Sequence, residues 1–517
     1  MKRAFNHIFV KTITYIKSNP ALAIILFAAL VLRIWDFPNR YIIFGDSARD
    51  AMVAYEGAKQ FQLPLVGPFS SLGAFTFGPW YFWILIISNI LFPFTYAPWI
   101  TMTLFSFGTV IMSYKLAGIL IKDRKFALIV ATIVALSAFQ IQSGLLATNP
   151  NLNSFFSFAA LYLFFKLLQT KTSHWFALFF GLILGIGIST HYSMFSLGLL
   201  YPLTLLKPSK KLPTFLLSIL GLFIAFLPTL IFDLNNHWFN LKNLIYYYQV
   251  GQYNIYLPNR WLLYLSDFWP KFFSETIGIP HLSAFIFIPL TAITALYLII
   301  KKQLSRNFVI LLSILAINFV LLRYYRGERS IGYLQYLQPI VIIFFSLFVF
   351  RLTQFARKKL LSGIIFVLLI ALMLPQTFHS LRAPDEISLL KKDAQIIINN
   401  FPNDRFTLYG CESYSSSWIL GLTWELSRRG KIADDGRKIA ILDQHCNFPV
   451  WSEEAPVSVK MLQDPNFVPP FPPLIGINAE DFSSSTNELL EENNWNKYTP
   501  KHNFDSVTRW WLQEKLL

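Results

Sequence analysis

The chain reads as long apolar runs separated by short clusters of lysine and arginine. Ala21–Leu32, Phe176–Ile188 and Ile340–Phe350 contain no charged residue. Linked runs of this kind reach the roughly 20 residues a helix needs to cross a bilayer. The basic clusters fall at 2–17, at Lys122, Arg124 and Lys125, at Lys166 and Lys171, and at Lys207, Lys210 and Lys211. Two more lie at Lys301, Lys302 and Arg306, and at Arg351, Arg357, Lys358 and Lys359. Short loops rich in Lys and Arg stay on the cytoplasmic side, so two crossings must separate each cluster from the next. Spans near 20–35, 98–121, 126–144, 152–168, 175–190, 192–206, 213–232, 281–300, 307–323, 333–350 and 361–378 meet that condition. They predict about eleven crossings, a cytoplasmic N-terminus that acts as a signal anchor, and an outward-facing segment 380–517. The run 79–95 would reverse the side of every later cluster if it crossed. It is aromatic at its start and broken by Pro93 and Pro98, which predicts a juxtamembrane or re-entrant helix; an ordinary hairpin span is the alternative.

Two long outer loops follow from this topology, 36–97 and 233–280, with a short arginine-rich one at 323–332. Beyond residue 380 the charge density rises, and β-type runs Phe406–Tyr409 and Lys438–Leu442 flank a helix-like Trp418–Arg429. The predicted fold class is therefore an all-α polytopic membrane domain of about eleven transmembrane helices (1–379) with a small C-terminal extracytoplasmic α/β domain (380–517). After Phe448 the chain is rich in Pro and Asn and is expected to wrap the surface of that domain. Cys411 and Cys446 each follow a strand-like run, and outside the membrane a disulfide between them is allowed.

Composition agrees with a multi-pass protein of the cell membrane: 54% of the residues are hydrophobic, 14% are charged, and the mean hydropathy is +0.47. A soluble domain carries about a quarter charged residues. The net charge of +16 does not point to nucleic acid, because most of it sits between spans, where it orients helices.

Carboxylates are scarce on the outer side. The first loop reads Phe44-Gly45-Asp46-Ser47-Ala48-Arg49-Asp50, opening a helix-like stretch over 46–61 in which Asp46 and Asp50 lie one turn apart. A carboxylate at the membrane surface beside an arginine can serve as general base or cation ligand. The alternative makes Asp46 an N-cap and Arg49–Asp50 a surface pair. Asn149, in Thr148-Asn149-Pro150-Asn151, either hydrogen-bonds a substrate or caps the next span. His191 either contacts a lipid phosphate or anchors a helix end, and Asp233 opens the second long loop as a solvated helix end. Arg323, Arg326 and Arg329, with Glu328 and followed by Tyr333, form the most charged outer patch. Arginine grips phosphate with a two-pronged fork, and a phosphate at that depth would belong to a lipid; the alternative is interfacial anchoring.

After the 46–61 stretch come Leu63-Pro64, Gly67-Pro68 and Phe77-Gly78-Pro79-Trp80-Tyr81-Phe82-Trp83. An acidic motif just after the first span, an arginine on the following helix and a proline–aromatic–tryptophan run resemble the GT-C membrane glycosyltransferases. Within them the pattern is similar to the protein O-mannosyltransferase and aminoarabinose transferase group (glycosyltransferase family 39-like), whose motifs run roughly D-E-x-R-Y-A and later K-P-P-L-x-Y-W. On that resemblance Asp46 stands for the first-loop aspartate, Arg49 for the arginine, Pro79 for the second proline and Trp83 for the tryptophan. Two departures stand out: Ser47 replaces the second acid, and no lysine precedes Gly78. Asn149 takes the place of a further aspartate.

The resemblance implies transfer of a sugar from a polyprenyl-phosphate donor, with inversion, to a protein, glycolipid or cell-wall glycan acceptor outside the membrane. Asp46, Arg49 and Asp50 would be catalytic; Asn149, His191, Arg326, Arg329 and Tyr333 would bind substrate. The expected partners are the polyprenyl-phosphate sugar, the acceptor and membrane lipids, with no nucleic acid. No cofactor is assigned, no metal-ligating motif is present, and a divalent cation is left open. The rival readings are a transporter or flippase of lipid-linked glycans, which should carry ionisable residues within its spans, and an envelope scaffold.

Overall fold

The computed structural model describes residues 19–43, 45–92, 96–254, 260–327, 329–355, 359–410, 416–442, 459–462, 474–478 and 496–513. Phe44, Pro93, Glu328, Cys411 and Cys446 lie outside the described residues. Counting helices longer than two turns, the chain runs α1 (Pro20–Ile34), α2 (Asp46–Gln60), α3 (Trp80–Leu91), α4 (Ala97–Leu120), α5 (Arg124–Leu136), α6 (Asn153–Leu167) and α7 (Phe176–Thr190). It continues with α8 (Lys211–Asn235), α9 (Phe239–Gln249), α10 (Trp269–Ile277), α11 (His281–Ile300), α12 (Arg306–Tyr324), α13 (Gln338–Phe355) and α14 (Lys359–His379). The last part holds α15 (Asp385–Asn400), β1 (Phe406–Gly410), α16 (Ser416–Ser427), β2 (Arg437–Leu442), β3 (Val459–Leu462), β4 (Leu474–Asn478), β5 (Asn496–Tyr498) and α17 (Pro500–Gln513).

Among the described residues six helical segments are long and apolar enough to cross a membrane: Ala97–Leu120, Lys211–Asn235, His281–Ile300, Arg306–Tyr324, Ile331–Phe355 and Leu360–His379. Leu216, Phe223, Ile286, Ile293, Val367 and Leu368 stand exposed on three of them. In water such surface would be costly; against lipid tails it is the expected exterior. The other predicted spans contain shorter helical pieces. A 15-residue helix such as α1 or α7 reaches about 22 Å, against a hydrocarbon core of about 30 Å. The stretch 192–206 is largely 3₁₀ rather than α-helical, running as Tyr192–Leu199 and Thr204–Leu206 around a single α-turn. Gly198 and Pro202 both weaken an α-helix there. Helix α3 has 12 residues, about 18 Å, and packs against α2, α4 and α7.

Small residues let the membrane helices approach closely. A methyl group on Gly181 would overlap the Ser218 carbonyl, and one on Gly221 would overlap the Leu178 carbonyl. So α7 and α8 touch backbone to backbone through a glycine–serine seam, as helices do when lipid gives no hydrophobic drive for association. Polar groups buried between helices are bonded to one another: Gln140 Nε2 donates to Gln338 Oε1 at 2.6 Å, and Ser154 Oγ to Gln140 Oε1 at 3.0 Å. Buried Arg33 of α1 donates to Ser106 Oγ (2.8 Å) and to the carbonyls of Ala29, Val134 and Ala135.

The C-terminal strands form one mixed sheet in the order β3-β4-β2-β1-β5. β1 and β2 are parallel and joined through α16, while the remaining pairings are antiparallel. The two expected strands and the helix between them are present within two residues of their expected ends. The chain beyond Phe448 differs from expectation: it supplies three strands and α17 instead of only a surface wrap. Its short β-runs, such as Leu474–Asn478, are hidden from a compositional reading by the Pro- and Asn-rich sequence around them.

Candidate active site

The loop that follows α1 folds onto the C-terminal part. The Gly45 amide donates to the Ser417 carbonyl at 3.2 Å. Lys391 Nζ donates to the Pro38 carbonyl at 2.8 Å, and Arg40 Nη2 donates to the Ser380 carbonyl at 2.9 Å. Asn503 and Phe504 of α17 lie against Met52 and Gly57 of α2. The helix that carries the acidic motif is therefore clamped from both sides, by α3 and by the C-terminal elements α16 and α17.

At the start of α2 one arginine serves two carboxylates of opposite character. Arg49 Nη1 donates to Asp46 Oδ1 at 2.7 Å, and Arg49 Nε and Nη2 each reach Asp50 Oδ1 at 2.8 Å. The Asp46 side chain is 65% exposed and that of Asp50 is fully buried. Asp46 makes no capping bond, since Gly45 is the N-cap and has no side chain; the carboxylate is free to face solvent. Beside Asp50, the Tyr81 hydroxyl donates to the Ala147 carbonyl at 2.6 Å, and Asp50 Oδ2 has no hydrogen-bond partner. Burial pushes the Asp50 carboxyl up to about 7; Arg49 opposes the shift and the Asp46 charge adds to it. Burial alone would lower the Arg49 guanidinium, but Asp50 and Asp46 together more than reverse that. The result is an outward carboxylate whose arginine is pinned from behind.

Ser47 links this corner to the turn at 144–152. Its hydroxyl donates to the Ile42 carbonyl (2.8 Å) and accepts from the Ala147 amide (3.0 Å). The residue standing where the resemblance has its second acid is thus a structural clasp. Two residues on, Asn149 Nδ2 donates to the Thr190 carbonyl at 2.7 Å, which ties it to the residue before His191.

His191 is held between two rings, Phe77 at 4.6 Å and Tyr333 at 4.8 Å, both near parallel. The Ser193 amide donates to its Nδ1 at 3.3 Å, and the Ser193 hydroxyl lies 2.8 Å from the same nitrogen, an arrangement that suits a ring proton on Nε2. Burial lowers the imidazole to about 3, so it is neutral at physiological pH and can offer a phosphate a hydrogen bond but no positive charge. Tyr333 also shares a hydrogen bond with Ser71 at 3.3 Å. Asn149, His191 and Tyr333 therefore come together with Phe77 of the proline–aromatic motif. Asp233 stands apart in role. It is buried rather than solvated, and accepts from the Asn240 and Leu241 amides at 2.9 and 3.1 Å, capping α9.

The three arginines Arg323, Arg326 and Arg329 have different surroundings. Arg326 is exposed, and its backbone amide donates to Gln252 Oε1 at 3.1 Å. Arg329 lies over the rings of Tyr264 (5.3 Å) and Phe268 (5.8 Å), and Arg323 over Trp261 (4.3 Å). Burial and the charges of Arg260 and Arg323 both work against the charge on Arg329. Arg260, from the second long loop, was missed in the sequence because no other cation stands near it there; the Arg-Trp pair at 260–261 was the available signal. Among the described residues Arg323, Arg326 and Arg329 make no ion pair with a carboxylate. An aromatic chain connects this cluster to His191: Tyr325 and Tyr247 share a hydrogen bond, Tyr247 packs on Phe75, and Phe75 on Phe77.

No protein-family model matches the chain, and no curated protein matches it by sequence. Solved structures do, and the chain shares the fold of ArnT. ArnT from Cupriavidus metallidurans bound to undecaprenyl phosphate superposes with a TM-score of 0.61 at 12% identity, covering 90% of this chain and 98% of ArnT. Its apo form gives 0.59 at 10% identity, over 89% and 98%. An Archaeoglobus fulgidus oligosaccharyltransferase tethered to an acceptor peptide aligns at a TM-score of 0.49 and 14% identity, over 74% of this chain and 57% of that one.

Proposed function

We propose that the protein transfers a sugar from a polyprenyl-phosphate donor to an acceptor at the outer face of the membrane, with inversion at the anomeric carbon. The observation that carries this reading is the asymmetric pair on Arg49: an exposed Asp46 and a buried Asp50, on an outer-loop helix of an ArnT-like fold. The acceptor hydroxyl gives its proton to the Asp46 carboxylate as its oxygen attacks the anomeric carbon. The bond from that carbon to the phosphate oxygen breaks, and the polyprenyl phosphate leaves with one more negative charge. Arg329 and Arg326, joined by Arg260 and Arg323, neutralise that charge as it develops. His191 Nε2–H, Tyr333 and Asn149 supply neutral hydrogen bonds to the donor. Asp50 and Arg49 position Asp46.

The same reading has about eleven crossings, an inward N-terminus and residues 380–517 outside, where they cover α2 and select the acceptor. Among the described residues no three His, Cys, Asp or Glu side chains gather to hold a metal ion. Asp46 is the carboxylate that would help hold a divalent cation, which would supply positive charge to offset the negative charge of the donor phosphate. Membranes containing the protein are expected to consume undecaprenyl-phosphate-linked arabinose or mannose, and Asp46→Asn to abolish this while the protein still folds. Near-normal transfer by Asp46→Asn would sink the assignment of the base; no consumption of either donor by the wild type would sink the transferase reading.

A further inference from the structure

At the end of α4 remote from Asp46 lies a second polar site. α4 begins beside the loop that follows α1, where Trp99 Nε1 donates to the Ile42 carbonyl at 2.7 Å, and its 24 residues carry it about 36 Å away. There α4, α5 and α6 line an open groove of about 400 Å³. Lys115, Lys122, Arg124 and Lys166 all line it, against a single carboxylate, Asp123. That carboxylate is already engaged, accepting from the Lys125 amide at 2.7 Å. None of the four cations forms an ion pair among the described residues. Lys166 is held at the wall, with its Nζ 3.3 Å from the Tyr162 hydroxyl and 5.3 Å from the Phe176 ring centre. Gly118 forms part of the lining, and a Cβ added there would meet nothing within 4 Å.

Lys115, Lys122 and Arg124 are exposed and Lys166 is half-buried, and all four line one open groove at the helix-bundle rim. We infer that this groove binds the headgroup of an anionic phospholipid. The phosphate sits among the four cations and the acyl chains run out along the apolar faces of α4 and α6. The volume suits a phosphoglycerol group, and basic pockets between membrane helices take such headgroups. A zwitterionic headgroup, with its own cation, would meet repulsion in the same place.

The test uses the purified full-length protein in a neutral detergent and follows thermal unfolding as short-chain lipid is added. Dioctanoyl phosphatidylglycerol is expected to raise the midpoint saturably, as a ligand of the folded state must, and dioctanoyl phosphatidylcholine is not. Lys115→Gln with Lys166→Gln should weaken half-saturation about twenty-five-fold, roughly fivefold per lysine. Gly118→Phe, at a position where an added Cβ meets nothing within 4 Å, places a ring in the groove and should abolish the shift while leaving the lipid-free midpoint unchanged. An equal shift with phosphatidylcholine, an equal shift with glycerol 3-phosphate alone, or an undiminished shift in Gly118→Phe would each overturn the inference.

Discussion

Replacing Arg49 by methionine separates the two carboxylates it serves. Asp46 is exposed, so its pair with Arg49 contributes no more than about 0.5 kcal/mol. Asp50 is fully buried, its Oδ1 loses both donors, and its Oδ2 has none to begin with. A buried carboxylate left charged would cost about 3–5 kcal/mol, but Asp50 has an alternative, since its carboxyl already sits near 7 in the wild type. The folded wild type holds the Asp50 proton up to about pH 7, while the unfolded chain releases it near pH 4. Between those values the folded state binds more protons, so stability falls as pH rises; above 7 the wild-type contribution levels off.

Without Arg49 the folded carboxyl keeps its proton further up the scale and the fall continues, at about 1.4 kcal/mol per pH unit. The gap between Arg49→Met and wild type should thus be modest and flat below pH 7, then widen by about 2–3 kcal/mol by pH 9. For a chain of 517 residues that is roughly 2–3 °C in the unfolding midpoint, measured in detergent across pH 6 to 9. Adding Asp50→Asn to Arg49→Met should remove the slope. A gap independent of pH, or a slope that survives Asp50→Asn, would refute this account of the pair.

Other outcomes follow from the same geometry. A methyl at Gly78 would overlap the Ser189 hydroxyl and lie 3.0 Å from Ser189 Cβ. Gly78→Ala should therefore lower stability by about 1–3 kcal/mol, and Ser189→Ala, which deletes an unpartnered hydroxyl, should restore part of it in a denaturation series. The pH profile of transfer should carry a step near pH 7 that Asp50→Asn abolishes and His191→Gln leaves, because burial keeps His191 neutral down to about 3. Asp233→Ala, which uncaps α9, should cost about 0.5–2 kcal/mol and raise protease sensitivity within 239–249.

Hydrophobic runs and the spacing of basic clusters were enough to find the six segments that are long and apolar enough to cross among the described residues, because burial in lipid acts on every residue of a run and needs no knowledge of its neighbours. The first-loop motif was legible for a similar reason. Asp46, Arg49 and Asp50 interact within one helical turn, so their contact is a matter of sequence spacing. What sequence could not assign was depth: Asp46 and Asp50 are equivalent by spacing, and only the packing of α3, α16 and α17 around α2 buries one and exposes the other. The same holds for His191, whose neutral state depends on rings 114 residues before it and 142 after it. It holds again for Arg260, brought to Arg329 from a separate loop. Periodicity reports which face of a segment is apolar; the partner that covers that face, and hence the charge state of a group beneath it, is decided only when distant segments meet.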